Sequence, residues 1–93
     1  MTELLSAEEI SQRTNQLSDW KLEGNKLQCV KVFKNFVEAV SFVNQLVDPA
    51  EASQHHPDIE ISYNKVIINL TTHDAGGLTE QDFSMAKEIS AIE

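Results

Sequence analysis

Residues 59–70 carry the sequence IEISYNKVIINL, in which apolar and polar side chains alternate on both sides of a short polar interruption. Alternation with a period of two is typical of a strand that buries one face. The interruption falls at Asn64-Lys65, and asparagine tolerates the left-handed backbone that tight turns require. The segment therefore predicts an antiparallel hairpin that joins Ile59, Ile61 and Tyr63 to Val66, Ile68 and Leu70, with Tyr63 expected to pack ahead of the turn.

A second hairpin precedes this one in the chain. The alternating runs Trp20–Glu23 and Leu27–Phe33 are separated by Gly24-Asn25, a pair that suits a two-residue turn. Two hairpins, each with one apolar face, predict a four-stranded and mainly antiparallel sheet.

Three helices are predicted around the hairpins from their start signals. In each signal, a side chain that can accept from free backbone amides is followed three residues later by an acid that reaches back. The pairs are Ser6 with Glu9, Asn35 with Glu38, and Thr79 with Asp82. The resulting order αββαββα predicts one α+β domain over residues 1–93, a two-layer sandwich with its helices on one face of the sheet.

The second helix is the longest, and helical spacing of apolar residues predicts that it packs against the core. Its stripe is Phe36, Val40, Val43 and Val47, with Ala39, Phe42 and Leu46 beside it. The first helix is expected to run to about Asn15 and the last from Glu80 towards Ile92.

Charge and composition exclude several classes of protein. A net charge of -8 with seven scattered Lys and Arg residues argues against direct nucleic-acid binding. No segment approaches the roughly 20 apolar residues that span a bilayer, and the first residues lack an export signal. The single cysteine, Cys29, cannot form an internal disulfide, which favours a reducing, cytoplasmic location without membrane attachment.

The three histidines, His55, His56 and His73, are the residues most suited to chemistry. His55 and His56 precede Pro57, which prevents a helix from continuing, so they should lie at a helix-to-strand corner. His73 follows the last strand, and pairing within the hairpin brings this strand end beside that corner. All three histidines are therefore predicted to meet at one end of the sheet.

Glu51 precedes His55 by four residues, so a helix that continued to about Gln54 would place the two on one face. A carboxylate there could orient the imidazole. Glu51 could equally be a surface acid, Asp82 has a sufficient role at its helix start, and Trp20 is expected in the core. A zinc site competes with acid–base chemistry, but adjacent histidines converge poorly on one ion.

The segment EASQHHP at residues 51–57, followed by Tyr63, His73 and Asp82, resembles the signature of the pterin-4a-carbinolamine dehydratase family. The similarity extends over roughly residues 17–90 and includes Trp20. Two positions depart from the family's usual pattern: Gln54 stands before the paired histidines and Ile59 stands two residues after the proline. The resemblance implies the same αββαββα sandwich.

The resemblance also implies an activity, namely dehydration of 4a-hydroxy-tetrahydrobiopterin to quinonoid dihydropterin in tetrahydrobiopterin recycling. It implies a catalytic set of His55, His56 and His73, in which His55 and His73 exchange protons and His56 mainly binds the pterin. Glu51, Pro57, Trp20 and Asp82 complete the implied substrate-binding set. Neither a cofactor nor a metal is implied.

Family members assemble as dimers or tetramers, so the resemblance implies a homo-oligomer. Vertebrate relatives also serve as dimerisation cofactors of a homeodomain transcription factor. A non-enzymatic oligomeric interaction module of that kind is therefore the alternative function.

Overall fold

A computed structural model describes residues 3–92 of the chain. Four α-helices, four strands and a short 3₁₀-helix follow one another along it. They are α1 (Ala7–Asn15), β1 (Trp20–Glu23), β2 (Lys26–Val32), α2 (Phe36–Gln45), α3 (Val47–Ser53), β3 (Asp58–Ser62), β4 (Lys65–Leu70), the 3₁₀-helix (His73–Ala75) and α4 (Glu80–Ser90). Within residues 3–92, no helix has the length and apolar character that crossing a bilayer requires.

The four strands form one antiparallel sheet in the order β1-β2-β4-β3, which confirms both predicted hairpins. The central strand β4 pairs with β2 on one side and β3 on the other. One row across the sheet joins Trp20, Cys29, Ile68 and Ile59 in register. This pairing fixes which side chains share a face, because a slip of one residue would turn every side chain over.

The helices cover one face of the sheet, as predicted. Buried residues of β2 and β4 alternate along each strand and meet the buried stripe of α4, which contains Phe83, Met85, Ala86 and Ile89. Cys29 is part of this core, and burial raises the pKa of its thiol. Cys29 is thus a packing residue whose thiol stays neutral.

The long second helix is divided at Leu46 into α2 and α3. Pro49 is the cause, since it has no amide hydrogen to donate to the Gln45 carbonyl and its ring crowds that carbonyl. The predicted core stripe of this helix was also wrong in part. Phe36 and Val47 are 51% and 54% exposed, while Ala39, Phe42 and Leu46 are buried.

The turn of the second hairpin lies at Tyr63-Asn64, one residue earlier than predicted. Asn64 is tied to the end of the neighbouring strand: its carbonyl accepts from the Phe33 amide at 2.7 Å and its side-chain amide donates to the Phe33 carbonyl at 2.8 Å. Tyr63 consequently takes the left-handed backbone, with φ of 56°, and is 66% exposed, so the expectation that it packs was wrong.

All three predicted helix starts are present. Ser6 with Glu9 and Thr79 with Asp82 form reciprocal capping boxes. Asn35 accepts from the Glu38 amide, whereas the Glu38 carboxylate accepts from the amide of Lys34. Two of these caps are on the surface, and the third is buried at the start of α4.

Replacing Ile68 tests the core of the sheet. Ile68→Ala removes a fully buried side chain from the middle of β4 and should lower the free energy of unfolding in urea by about 2–5 kcal/mol. Ile61→Ala is the matched control because Ile61 is exposed on an edge strand, and its loss should be clearly smaller. Equal losses would contradict the assignment of the buried face.

Candidate active site

The three histidines line one cavity of about 590 Å³ at an end of the sheet. β3 begins at Asp58, which pairs with Asn69 near the end of β4. The corner before β3 therefore lies beside the chain that leaves β4. The prediction that His55, His56 and His73 meet at this end is confirmed.

His55 points into the protein and pairs with Asp82 of α4. Its Nε2 lies 2.6 Å from Oδ1 of Asp82, and the two side chains are only 10% and 0% exposed. The other carboxylate oxygen, Oδ2, accepts from the backbone amide of Thr79 at 2.9 Å and from the hydroxyl of Thr72 at 2.7 Å. Asp82 thus joins the corner before β3, the end of β4 and the start of α4.

His56 lies at the surface and pairs with Glu51. Its Nε2 lies 2.5 Å from Oε2 of Glu51, and both side chains are open to solvent, at 60% and 68% exposure. The predicted pairing of Glu51 with His55 was therefore wrong. The reason is Gln54, whose left-handed backbone (φ 54°, ψ 37°) ends α3 and rotates the next two residues out of helical phase.

His73 begins the 3₁₀-helix and is exposed on the cavity wall. The turn around it is closed by Thr72, whose carbonyl accepts from the amides of Ala75 and Gly76 at 3.1 and 3.0 Å. Gly76 supplies the left-handed backbone, with φ of 79°, that reverses the chain. Within residues 3–92, the His73 ring has no hydrogen-bond partner, so it is free to meet a ligand.

Of the residues implied to bind substrate, only His56 lines the cavity, and Asp82 and Trp20 are buried away from its surface. Asp82 has no exposed surface, so in the single chain it contacts His55 rather than a ligand. Trp20 is buried in the core, and its indole donates to the hydroxyl of Ser90 at 2.9 Å. Ser90 lies eight residues beyond Asp82 on α4, which corresponds to roughly 12 Å along the helix. In the single chain, both side chains are therefore packing and hydrogen-bonding residues beside the site.

Pro57 lies beside the cavity rather than in it. With Glu51 and His56 it lines a smaller, mainly apolar groove of about 210 Å³. His56 belongs to both the cavity and the groove, so the two spaces are neighbours.

Sequence reasoning missed several residues of the site. Gln54, Asp74 and Gln81 line the cavity, and no pattern in the sequence distinguishes them from other surface polar residues. Thr72 could have been found, because it continues the inward phase of Ile68 and Leu70 and is a polar residue on the buried side. A buried hydroxyl in that phase needs a partner, and Asp82 supplies it.

The side chains that line the cavity include three imidazole rings. Among residues 3–92, no group of three His, Cys, Asp or Glu side chains is arranged to hold a metal ion. The three rings differ in their partners. His55 is hydrogen-bonded to a buried carboxylate, His56 is paired with a carboxylate at the surface, and His73 has no hydrogen-bond partner among residues 3–92. Imidazole exchanges protons near neutral pH, so the arrangement suits acid–base chemistry.

Comparison with known proteins gives a consistent result. The family described as pterin 4 alpha carbinolamine dehydratase matches residues 3–92. Proteins from Trichodesmium erythraeum and a Nostoc species, provisionally named pterin-4-alpha-carbinolamine dehydratases, are 72% and 61% identical to this chain over 92 residues and cover 99% of each chain. A crystal structure of a transcriptional coactivator/pterin dehydratase from Brucella melitensis superimposes with a TM-score of 0.88 at 32% identity, over 94% of this chain and 95% of that one.

Replacing Gln54 tests the left-handed backbone at the corner where His55 and His56 lie. Gln54→Gly should raise the free energy of unfolding by roughly 0.5–1 kcal/mol, because a left-handed non-glycine residue costs about 1–2 kcal/mol and part of that gain is lost to the entropy of glycine. Gln81→Gly, on the same cavity but in the first turn of α4, should instead lower it. Thermal unfolding monitored by circular dichroism measures both, and destabilisation by Gln54→Gly would contradict the geometry.

Proposed function

The chain belongs to the pterin-4a-carbinolamine dehydratase family, and we propose from that membership that it is a hydro-lyase acting on 4a-hydroxy-tetrahydrobiopterin. The products are quinonoid dihydropterin and water. The observation that carries the proposal is the meeting of His55, His56 and His73 at one cavity. The cavity volume of about 590 Å³ lies within the range of small-molecule sites, roughly 300–1,000 Å³.

The reaction needs two proton transfers and no change in oxidation state. The bond between C4a and the hydroxyl oxygen breaks, and the oxygen leaves as water after it receives a proton. The proton on N5 is removed, and an electron pair of N5 completes the C4a=N5 double bond. Groups that titrate near neutrality can serve at both ends, each typically contributing about 10²–10⁴ in rate.

We assign the two proton transfers to His55 and His73. His55 is the ring held by Asp82 inside the protein, and His73 is the ring with no hydrogen-bond partner among residues 3–92. His56, paired with the exposed Glu51, is assigned to substrate binding, with Pro57 beside it. The reaction on these residues requires no cofactor or metal.

Metabolic role and location are further parts of the proposal. Removal of water from the carbinolamine would serve the recycling of tetrahydrobiopterin. A cytoplasmic location is supported by the lone, buried Cys29, which forms no disulfide.

Replacing each histidine by glutamine tests the assignment. His55→Gln and His73→Gln should lower kcat by about 10²–10⁴ because each removes a proton-transfer group. His56→Gln should mainly raise KM. The measurement is the rate of 4a-hydroxy-tetrahydropterin breakdown above the uncatalysed rate.

Ser11→Ala, on the surface of α1, is the control and should retain full activity. Circular dichroism confirms that each variant is folded. A wild-type rate equal to the uncatalysed rate would reject the dehydratase. Full activity in His55→Gln or His73→Gln would reject that residue's role.

Copies of the chain are also proposed to associate as a homo-dimer or homo-tetramer. The outer side of α2 carries the exposed apolar residues Phe36 and Val37, which line a shallow groove together with the half-buried Val40. The strands β1 and β3 are open edges of the sheet within the described chain. Apolar faces and open edges of this kind favour association between copies. The same surface supports the alternative function, an interaction module, for which the Brucella melitensis coactivator/dehydratase is the precedent.

Val37→Glu tests this surface. Val37 is the most exposed of the large apolar residues on α2, so a buried charge there should shift the protein towards monomer in size-exclusion chromatography with light scattering. Val32→Glu is the matched control, because Val32 is similarly exposed but lies on β2 opposite Lys65. A wild-type monomer, or equal dissociation by both variants, would contradict the proposed interface.

A further inference from the structure

We propose that Asp82 is a positioning residue that fixes the proton of His55 on Nε2, so that Nδ1 of His55 is the atom that removes the N5 proton of the substrate. The chemical role rests on the proposed dehydratase function. The protonation pattern of His55 does not, because it follows from hydrogen bonds inside the protein.

The surroundings of Asp82 determine its hydrogen-bonding role. The Thr79 backbone amide can only donate, so Oδ2, at 2.9 Å, must accept. The Thr72 hydroxyl also donates to Oδ2, at 2.7 Å. Asp82 therefore acts as an acceptor on this side, and Oδ1 is the oxygen left to meet His55.

A second hydroxyl fixes the direction of these hydrogen bonds. Thr79 Oγ1 lies 2.8 Å from Thr72 Oγ1 and accepts from the Gln81 amide at 3.3 Å. Because the Thr72 proton is directed to Asp82, the Thr79 hydroxyl must donate to Thr72. The chain of donors runs from Thr79 through Thr72 to Asp82 and leaves Oδ1 to accept from His55.

The remaining oxygen, Oδ1, lies 2.6 Å from Nε2 of His55. An ionised carboxylate has no proton to give, so Nε2 carries the hydrogen and a neutral His55 keeps its lone pair on Nδ1.

Nδ1 of His55 is the ring nitrogen that Asp82 leaves free. It has no hydrogen-bond partner among the described residues, yet none of their buried side-chain nitrogen or oxygen atoms lacks a partner. Nδ1 must therefore touch solvent, although the residue as a whole is buried. Since His55 lines the cavity, solvent reaches Nδ1 from there.

The proton balance follows from this geometry. Neutral His55 accepts the N5 proton at Nδ1 and becomes an imidazolium, whose charge is offset by the Asp82 carboxylate. Protonated His73 gives its proton to the departing hydroxyl, which leaves as water. One proton is taken and one is given, and exchange with solvent restores both rings.

Asp82→Asn is the decisive variant. The amide oxygen of asparagine can accept from Thr79 and Thr72 as the carboxylate does, which keeps the helix cap. Its NH₂ group then faces Nε2 of His55, and two donors cannot pair. Neutral His55 must move its hydrogen to Nδ1, which removes the lone pair from the cavity. In Ser-His-Asp triads the same change leaves the geometry intact and lowers kcat about 10⁴-fold.

Nitrogen-15 NMR of the imidazole rings measures the protonation pattern without substrate. The chain has three histidines, so His56→Gln and His73→Gln suffice to assign the His55 signals. At a pH where the rings are neutral, wild-type His55 should carry its hydrogen on Nε2, and Asp82→Asn should carry it on Nδ1. A wild-type hydrogen on Nδ1, or no exchange in the variant, overturns the proposal whether or not the protein is an enzyme.

Kinetics test the consequence. Asp82→Asn should lower kcat by about 10²–10⁴ while KM changes by less than about threefold, because Asp82 does not touch the substrate. If the hydrogen of His55 moves to Nδ1 in Asp82→Asn but kcat is unchanged, the proposed role of Nδ1 is overturned. An inactive wild-type protein with the expected NMR pattern rejects the dehydratase but not the positioning by Asp82.

Thr72 keeps the proposal testable if Asp82→Asn does not fold. Thr72→Val removes one donor to Oδ2 and should lower kcat by about tenfold with little change in KM, whereas Thr72→Ser keeps the hydroxyl and should restore the wild-type rate. Equal activity of the two variants would contradict a role for the hydroxyl chain.

Discussion

The Asp82 carboxylate is the group on which the arrangement of the site depends. It is completely buried and is hydrogen-bonded to His55, Thr72 and Thr79, which lie on three separate parts of the fold. Leaving a buried polar group without its partners costs about 1–3 kcal/mol, and more for a charged group. These contacts therefore tie the start of α4, the end of β4 and the corner before β3 to one another.

The two carboxylate–imidazole pairs of the site differ in their surroundings. The pair of His55 and Asp82 is enclosed, where the dielectric is low and the hydrogen bond holds the ring in one orientation. The pair of His56 and Glu51 is open to water, where such pairs contribute about 0–1 kcal/mol and exchange partners easily. The cavity thus combines one ring held in a fixed orientation with one ring that can change partners, and both come from adjacent positions in the chain.

His55 and His56 are adjacent in the chain but meet different carboxylates, and this difference depends on the backbone at Gln54. Gln54 ends α3 in a left-handed conformation, and Pro57 then commits the chain to β3. At the other end of the same hairpin, Asn64 holds the turn against Phe33 and gives Tyr63 its left-handed backbone. The two ends together set the register of β3 and β4, and this register brings the corner beside His73.

The sequence by itself determined the order of the elements, the hairpins, the helix starts and the meeting of the histidines. These features follow from local patterns: a period of two along Ile59–Leu70, cap residues three apart, and a turn that brings strand ends together. A period of 3.6 could not say which apolar stripe of α2 faces the sheet, because Phe36 and Ala39 belong to equally apolar stripes. The division of the helix at Leu46 could have been predicted from Pro49.

Only the tertiary structure decided which carboxylate each histidine meets. Spacing along the chain favoured Glu51 for His55, since four residues make one helical turn. The actual partner, Asp82, is 27 residues away and reaches His55 only because α4 packs beside the end of β4. Local periodicity contains no information about contacts between distant segments, so the burial of Asp82 and the different partners of His55 and His56 arise only when the sheet and helices pack together.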